Sequence, residues 1–345
     1  MEENMNKIKV GIVGLGRLGR KHAENIALRI SNAELTAVCS VIKDEVDEAQ
    51  KKLNVKYGYT DFDEMIKNKE LDAIFISSPS GFHCSQIEKA LKAGFHVFSE
   101  KPLGLHLEET KKLAKVVNGY KDKQIFMLGF MRRYDKSYLY AKEKIEDGEI
   151  GKPMLIRCYG LDPSCSIESF LNFAKNNYSG GLFLDMAIHD LDLARWYLNS
   201  EAEKVWAIGD AYEYEDFKEI NDAETGAALV KFKNGTMGIF VAGRNCAHGY
   251  HIETEIIGTK GTLRIGTIPE KNMVTVFNDK GAIRECSQGF LERFEQAYLS
   301  ETEDFINCIM EKRQPKITVE DGVNSTALAY ACKESFETGK LIELK

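Results

Sequence analysis

The chain has 345 residues, of which 43% are hydrophobic and 29% charged, and its formal net charge is −7. A chain of this length exceeds what one hydrophobic core usually organises, and its composition is too apolar for intrinsic disorder. The acidic balance argues against nucleic acid or an anionic membrane surface as a partner, because both select basic protein faces.

No segment predicts export, membrane insertion or a metal centre. The polar start leads into a short apolar strand without the basic region and long apolar run of a signal peptide. The longest apolar runs have the length of strands, which is too short for a membrane-spanning helix. Eight cysteines are scattered without metal-like spacing. We therefore expect a cytoplasmic protein with reduced thiols and no metal.

Apolar runs of strand length alternate with helical segments over the first 130 residues. Strands that are apolar throughout and separated by helices indicate a parallel sheet covered on both faces, and right-handed crossovers make it doubly wound. We assign residues 1–130 to this α/β domain. The predicted strands are Ile8–Val13, Leu35–Cys39, Ala73–Ser77, Phe95–Phe98 and Ile125–Phe130, and the predicted helices are Leu18–Ile30, Asp44–Leu53, Gln86–Ala93 and Leu107–Val117.

Residues 131–345 show a different pattern, in which short strand-like segments and turn signals dominate. Asn234-Gly235 between two apolar runs is a strong hairpin signal. We predict an α+β domain with a large, mostly antiparallel open sheet that binds substrate and mediates oligomerisation. Its predicted strands are Met154–Tyr159, Lys204–Ala211, Gly226–Phe232, Met237–Val241, His251–Ile257, Thr262–Ile265 and Met273–Phe277, and its predicted helices are Ser137–Ile145, Leu182–Leu198, Leu291–Met310 and Val323–Thr338.

A G-x-G-x-x-G motif directly follows the first strand and opens a helix. Gly14 permits the tight turn, Gly16 lets the backbone approach a pyrophosphate, and Gly19 lets the helix pack on the strand. The helix start at Leu18 offers free N–H groups to the phosphates. The motif in this position predicts a Rossmann domain that binds NAD or NADP, and Ser78 and Pro79, which follow the strand Ala73–Ser77, are further candidate cofactor contacts.

The end of the second strand bears on the choice of cofactor. Ser40 stands where NAD-preferring sites usually have Asp or Glu, which would repel the 2′-phosphate of NADP. Arg17 in the glycine turn and Lys43 beyond Ser40 could pair with that phosphate, although both could also be solvated surface cations. We expect NADP to be tolerated or preferred.

Two further segments carry reactive groups. Glu100 and Lys101 lie at the end of the strand Phe95–Phe98, on the carboxyl edge where doubly wound sheets bind ligands, and both are candidate cofactor contacts. Asp185 and His189 lie four residues apart on a helix that is apolar on most faces, so both point from one side of a buried helix. Buried ionisable groups are costly unless paired or used. The alternative to a catalytic role is that His189 only packs the helix and is hydrogen-bonded to a neighbouring carboxylate.

These motifs together resemble the Gfo/Idh/MocA oxidoreductases, and among them the inositol dehydrogenases. The chain shares their E-K-P strand end (Glu100 to Pro102), the helix motif G-G-x-x-x-D-x-x-x-H-D (Gly180 to Asp190), and the joining segment Gly129–Asp135. The resemblance implies that His189 is the general base, that Lys101 hydrogen-bonds the reacting hydroxyl, and that Asp185 binds an adjacent hydroxyl. Histidine suits this role because its pKa lies near neutrality.

The resemblance also implies further substrate contacts and an assembly. Arg132, Asp162, His248 and Tyr250 lie in segments similar to the family's pocket. Asp162 belongs to a segment, Leu161–Asn177, that departs from the usual inositol pattern and looks lengthened. The expected partner is a small polyol or sugar, and the family resemblance suggests a homotetramer.

Three other functions remain open at this point. The chain could be a pyranose dehydrogenase or reductase of the same family, a regulator that binds the dinucleotide without catalysis, or an enzyme that uses the cofactor transiently to cleave a glycosidic bond. The preferred hypothesis is oxidation of a ring hydroxyl of myo- or scyllo-inositol to a ketone. It requires Lys101 and His189 to meet beside the nicotinamide.

Overall fold

The computed structural model describes residues 7–175 and 178–344, and these residues form two units. Of the described residues, the first unit contains those up to Met131 together with Gln296–Val323, and the second contains those of 132–295 and those from Asn324 onward. Within the described residues no helix is both long and apolar enough to span a membrane.

The first unit is built on a six-stranded sheet in which every neighbouring pair is parallel, in the order β3-β2-β1-β4-β5-β6. All residues of the central strand β4 are buried, as expected where helices cover both faces. The predicted doubly wound sheet is confirmed. Its strands are β1 (Ile8–Val13), β2 (Ala33–Cys39), β3 (Tyr57–Tyr59), β4 (Ala73–Ile76), β5 (His96–Glu100) and β6 (Phe126–Gly129), and its helices are α1 (Arg17–Leu28), α2 (Lys43–Leu53), α3 (Phe62–Met65), α4 (His83–Lys92) and α5 (Leu107–Tyr120).

The late segment Gln296–Val323 packs on this sheet through aromatic rings. Phe75 of β4 and Phe98 of β5 stack with ring centroids 4.5 Å apart. Phe305 meets them edge-on, with its ring centroid 5.2 Å and 5.8 Å from theirs. Such offset and edge-to-face pairs stabilise a core beyond simple burial of area.

The second unit is built on a seven-stranded sheet in the order β12-β11-β7-β10-β9-β8-β15, beside a separate β13–β14 hairpin. The β7–β10 pair is parallel and every other pair is antiparallel, so the predicted mostly antiparallel α+β domain is confirmed. Its strands are β7 (Pro153–Pro163), β8 (Ala202–Asp210), β9 (Thr225–Phe232), β10 (Met237–Cys246), β11 (His251–Gly258), β12 (Thr262–Ile265), β13 (Glu270–Asn278), β14 (Gly281–Cys286) and β15 (Ile342–Glu343).

The helices after Met131 depart from the sequence prediction at several places, including the segment 161–177 and the helix 182–198. Part of the segment 161–177 forms a helix, α7, whose Ile167 and Leu171 are buried against Phe217; residues 176–177 lie outside the described part. The predicted helix 182–198 begins with a π-helical turn, Phe183–Ala187. The helices after Met131 are α6 (Lys136–Glu146), α7 (Ile167–Ala174), α8 (Ile188–Leu198), α9 (Asp216–Glu219), α10 (Phe290–Arg293), α11 (Glu295–Glu311) and α12 (Val319–Thr338).

Candidate active site

The glycine turn between β1 and α1 has the form of a pyrophosphate cradle. Gly14 has φ +90°, and a side chain there or at Gly19 would collide with backbone atoms. Gly16 has no neighbouring atom within 4 Å of the position a Cβ would take, so the backbone is open on that side. The helix starting at Arg17 and Leu18 has no side-chain cap at Gly16, which leaves its first N–H groups available to an anion. The residues present therefore fit a dinucleotide.

The predicted cofactor-selecting residues lie at the corner between β2 and α2. Ser40 is buried, and its hydroxyl donates to the Glu45 carboxylate at 2.6 Å. The Lys43 ammonium is exposed and donates to Asp47 at 2.6 Å. Both predicted residues are therefore hydrogen-bonded to carboxylates of α2.

The loop after β4 is tied to the loop after β5 by a buried histidine. The His83 ring nitrogens lie 2.8 Å from the carbonyl oxygens of Ser78 and Pro102. Burial lowers the pKa of His83, and these two hydrogen bonds oppose the shift. The hydroxyl of Ser78 donates to Gln86 at 2.6 Å, and Pro79 follows at the start of the loop. His83 thus fixes the predicted contacts Ser78 and Pro79 relative to the segment that begins at Lys101.

Glu100 is buried at the end of β5 and is held from two sides. Its carboxylate lies 2.8 Å from Nε2 of His22 and accepts a hydrogen bond from the Lys101 backbone N–H at 3.2 Å. The other His22 nitrogen lies 3.1 Å from the Thr302 hydroxyl. His22, Glu100 and Glu301 bring three possible ligand atoms within 4.8 Å of one another. The expectation that the protein has no metal site therefore stays a prediction.

The predicted Asp185 and His189 lie at the start of the buried helix of the second unit. Asp185 belongs to the π-helical turn, and His189, 8% exposed, belongs to the first turn of α8. π-Helical turns are rare and frequently occur at functional sites. The helix start is held by Asp222, whose carboxylate accepts from the Leu182 N–H at 2.8 Å. Burial raises the pKa of Asp222, and nearby Arg244 opposes that shift.

Arg244 of β10 is a site residue that the sequence analysis missed. Its guanidinium is 3% exposed, donates to the Asp185 carboxylate at 2.9 Å and lies 3.8 Å from that of Asp162. Its central carbon is 3.5 Å from the centroid of the Phe170 ring. Little in the sequence pointed to it, because both faces of the segment 237–243 carry apolar residues and only the structure shows which face is buried.

The remaining predicted substrate contacts form two other groups. Arg132 is 3% exposed, and its guanidinium donates to Asp190 at 2.5 Å. Burial raises the pKa of Asp190 and of Tyr250, in both cases against the charge of Arg132. His248 is exposed, and its Nε2 lies 3.0 Å from Nδ1 of His251. The second unit thus brings Asp162 and Asp185 together around Arg244, and Arg132 together with Asp190. The substrate role of each residue stays a prediction.

Comparisons with known proteins cover both units. Residues 8–130 match the oxidoreductase family with an NAD-binding Rossmann fold, and residues 138–264 match the GFO/IDH/MocA C-terminal domain. The chain is 33% identical to myo-inositol 2-dehydrogenase of Thermotoga maritima, covering 98% of this chain and 99% of that protein.

Two solved structures have higher sequence identity to this chain than the Thermotoga maritima relative has. The structure of scyllo-inositol dehydrogenase from Lactobacillus casei, with bound NAD(H) and scyllo-inositol, is 52% identical, has a TM-score of 0.95 and covers 98% of this chain and 99% of its own. Myo-inositol 2-dehydrogenase from Lactobacillus plantarum is 40% identical, with a TM-score of 0.97 and coverage of 99% and 100%. Similarity of this extent along the whole chain shows common descent, and the protein belongs to the Gfo/Idh/MocA family of oxidoreductases with an NAD-binding Rossmann domain.

Proposed function

We propose that this protein oxidises a ring hydroxyl of myo- or scyllo-inositol to the ketone, with NAD as hydride acceptor. The observation that carries the proposal is the 52% identity, over 98% of the chain, to a scyllo-inositol dehydrogenase whose structure holds NAD(H) and scyllo-inositol. The open glycine turn supports the cofactor, because its exposed backbone suits a pyrophosphate.

The proposed roles of the residues follow from alcohol oxidation. NAD, when bound, accepts the hydride from the carbinol carbon. His189 takes the hydroxyl proton as general base, and Lys101 hydrogen-bonds the same hydroxyl and stabilises the negative charge that develops on its oxygen. Asp185 accepts from an adjacent hydroxyl. Its pairing with Arg244 supports this role, since the guanidinium donates to the carboxylate and fixes its direction.

The polar side chains of the second unit also suit a substrate with many hydroxyls. Arg244 lies beside two carboxylates, Asp162 and Asp185, whose side chains are 29% and 32% exposed and so can reach a ligand. A pocket built to hydrogen-bond every hydroxyl rejects an isomer that leaves one of its groups unpaired. We therefore propose that these two carboxylates, with Arg132, distinguish inositol stereoisomers.

The assembly and the location belong to the proposal. A homotetramer in the cytoplasm is what the family resemblance suggests. Support for self-association comes from the sheet of the second unit, where Trp206, Ile208, Leu229 and Met237 expose large apolar side chains on three adjacent strands. Tolerance of NADP was expected from Ser40 and Arg17 and remains a prediction that direct binding can test.

The test is a substrate panel. Purified protein is given myo-inositol, scyllo-inositol and several pyranoses, each with NAD and with NADP, and the absorbance of the reduced cofactor is followed. We expect the highest kcat/KM with an inositol and one reduced cofactor per ketone formed. A higher kcat/KM with a pyranose would replace the proposal by a sugar dehydrogenase. Binding of cofactor without turnover of any polyol would favour a regulator.

A further inference from the structure

The corner between β2 and α2 adjoins the glycine turn directly. The Gly14 N–H donates to the carbonyl oxygen of Cys39, the last residue of β2, at 2.9 Å. Ser40 follows at the position where dinucleotide-binding domains usually carry the carboxylate that accepts from the adenosine ribose. A serine cannot supply the charge that distinguishes a 2′-hydroxyl from a 2′-phosphate, so another residue of this corner must do so if the protein discriminates.

Glu45 brings a carboxylate to this corner from the first turn of α2. The Ser40 hydroxyl donates to Oε2 of Glu45 at 2.6 Å and accepts from the Ile42 N–H at 3.2 Å. This pair of bonds fixes the direction of the hydroxyl and therefore of the carboxylate. Glu45 lies in the first turn of α2, at the positive end of the helix dipole. The Glu45 side chain is 21% exposed, so a ligand can reach it.

Arg20 connects Glu45 to the glycine turn. Its Nε donates to the Leu15 carbonyl oxygen at 2.9 Å, and its Nη2 lies 3.5 Å from Glu45 and 3.6 Å from Glu48. Two acidic side chains thus surround one guanidinium. Lys43, which could have paired with a 2′-phosphate, is bound to Asp47. Both cations of this corner are therefore paired with acidic side chains, and the carboxylate that contacts Ser40 directly is that of Glu45.

The same corner offers apolar surface beside the carboxylate. Val41 is 89% exposed and Ile42 is 54% exposed, and both immediately follow Ser40. Large apolar side chains beside a polar anchor suit the flat face of a purine base. This surface would serve the adenine of either cofactor equally, so discrimination rests on the charge.

We propose that Glu45, oriented by Ser40, is the residue that selects NAD over NADP: its carboxylate accepts from the ribose hydroxyls and repels a 2′-phosphate. Of the proposed function, this inference uses only the class of the cofactor. It opposes the expectation drawn from Arg17 and Ser40 that NADP is tolerated or preferred. Preference for NADP would mean that Arg17 dominates this corner.

The experiment measures binding without any polyol. Dissociation constants for NAD and NADP are determined by calorimetric titration for the wild type, Glu45→Gln and Glu48→Gln. Glu48 is the matched control because it lies on the same helix and beside the same arginine, and no hydrogen bond joins it to Ser40 within the described residues. Thermal melting shows that the variants are folded.

We expect wild type to bind NAD at least about tenfold more tightly than NADP, since like charges brought together at a binding site cost several kcal/mol. Glu45→Gln should lower the ratio of the NADP to the NAD dissociation constant by about tenfold or more, mainly because NADP binds more tightly. Glu48→Gln should keep this ratio within about twofold of the wild-type value. Raising the ionic strength should narrow the ratio for wild type and leave Glu45→Gln unchanged. The fragments 5′-AMP and 2′,5′-ADP should show the same contrast, because they differ only by the 2′-phosphate on the adenosine ribose.

An equal ratio in wild type and Glu45→Gln, or tighter binding of NADP than of NAD by wild type, would overturn the inference. Failure of the proposed function would give a different experimental result from failure of this inference. In that case inositols would not be oxidised, while the ratio of dissociation constants would still respond to Glu45→Gln.

Discussion

The guanidinium of Arg244 donates to the Asp185 carboxylate at 2.9 Å while almost fully buried. The Phe170 ring covers one face of the guanidinium, and Asp162 lies on another side. A buried charge of this kind is tolerated because opposite charges and an aromatic face replace its water. The pair therefore orients Asp185, the residue proposed to accept from the substrate.

Arg244→Lys should lower kcat/KM for the polyol and leave the affinity for the cofactor unchanged. A lysine supplies one point charge without the planar guanidinium that lies on the Phe170 ring while it donates to Asp185. Hydrogen bonds to charged groups contribute about 1.5–3 kcal/mol, so kcat/KM for the preferred inositol should fall about 10- to 100-fold. Steady-state kinetics and titration with NAD measure the two effects. Arg264→Lys, at a half-exposed arginine of β12, is the control. An unchanged kcat/KM would remove Arg244 from the substrate site.

His189→Ala should abolish most turnover without changing the affinity for NAD. A positioned general base contributes about 10²- to 10⁴-fold to the rate, and alanine cannot take the hydroxyl proton. The comparison uses kcat at saturating inositol, the dissociation constant for NAD and a melting curve. A folded variant that retained wild-type kcat would show that another group removes the proton.

Sequence reasoning succeeded where the signal was local. The turn from Gly14 to Gly19 is fixed by steric limits that only glycine relieves, and these limits act over a few residues. The parallel sheet could also be predicted, since strands buried on both faces are apolar throughout. Around this sheet the structure adds one short strand and one short helix, Tyr57–Tyr59 and Phe62–Met65, which are too brief to give a periodic pattern.

Features that depend on distant parts of the chain could not be predicted. The π-helical turn at Phe183–Ala187 has no periodic signature in its sequence, and its start is held by Asp222, forty residues later. The packing of Phe305 on Phe75 and Phe98 joins segments more than 200 residues apart. Contacts of this kind become visible only in the folded chain, and for that reason Arg244 was found beside Asp185 only in the structure.

The exposed apolar face of the large sheet should be an interface between copies of the chain. Trp206 of β8 pairs with Leu229 of β9, and Leu229 with Ile239 of β10, so an apolar row crosses three strands. Leu229→Asp would place a charge in the middle of this row, where burial without a partner is unfavourable. Light scattering should show a lower mass for this variant than for wild type. Lys233→Asp in the adjoining turn should keep the wild-type mass. A wild-type mass in Leu229→Asp would move the interface elsewhere.

Glu301→Gln should change how stability depends on pH. Glu301 is fully buried, and its pKa is raised well above 4.5 by burial first and by nearby Glu100 second. Below the ordinary value of 4.5 the carboxyl is protonated in both the folded and the unfolded chain, and it imposes no pH dependence. Above that value the unfolded chain loses the proton while the folded chain keeps it. The free energy of unfolding therefore falls as pH rises, by at most about 1.4 kcal/mol per pH unit from this group.

A glutamine at position 301 stays neutral at every pH. The free energy of unfolding of Glu301→Gln should therefore lack the fall with rising pH that Glu301 causes in wild type. Urea unfolding at pH 5, 6.5 and 8 measures it: the stability of Glu301→Gln relative to wild type should increase from pH 5 to pH 8. Glu303→Gln, at an exposed position two residues along α11, should follow wild type at all three pH values. Parallel curves for wild type and Glu301→Gln would mean that the Glu301 carboxyl is ionised in the folded protein. A bound cation beside His22 and Glu100 would then be the natural partner for its charge, because an isolated buried carboxylate is too costly to persist.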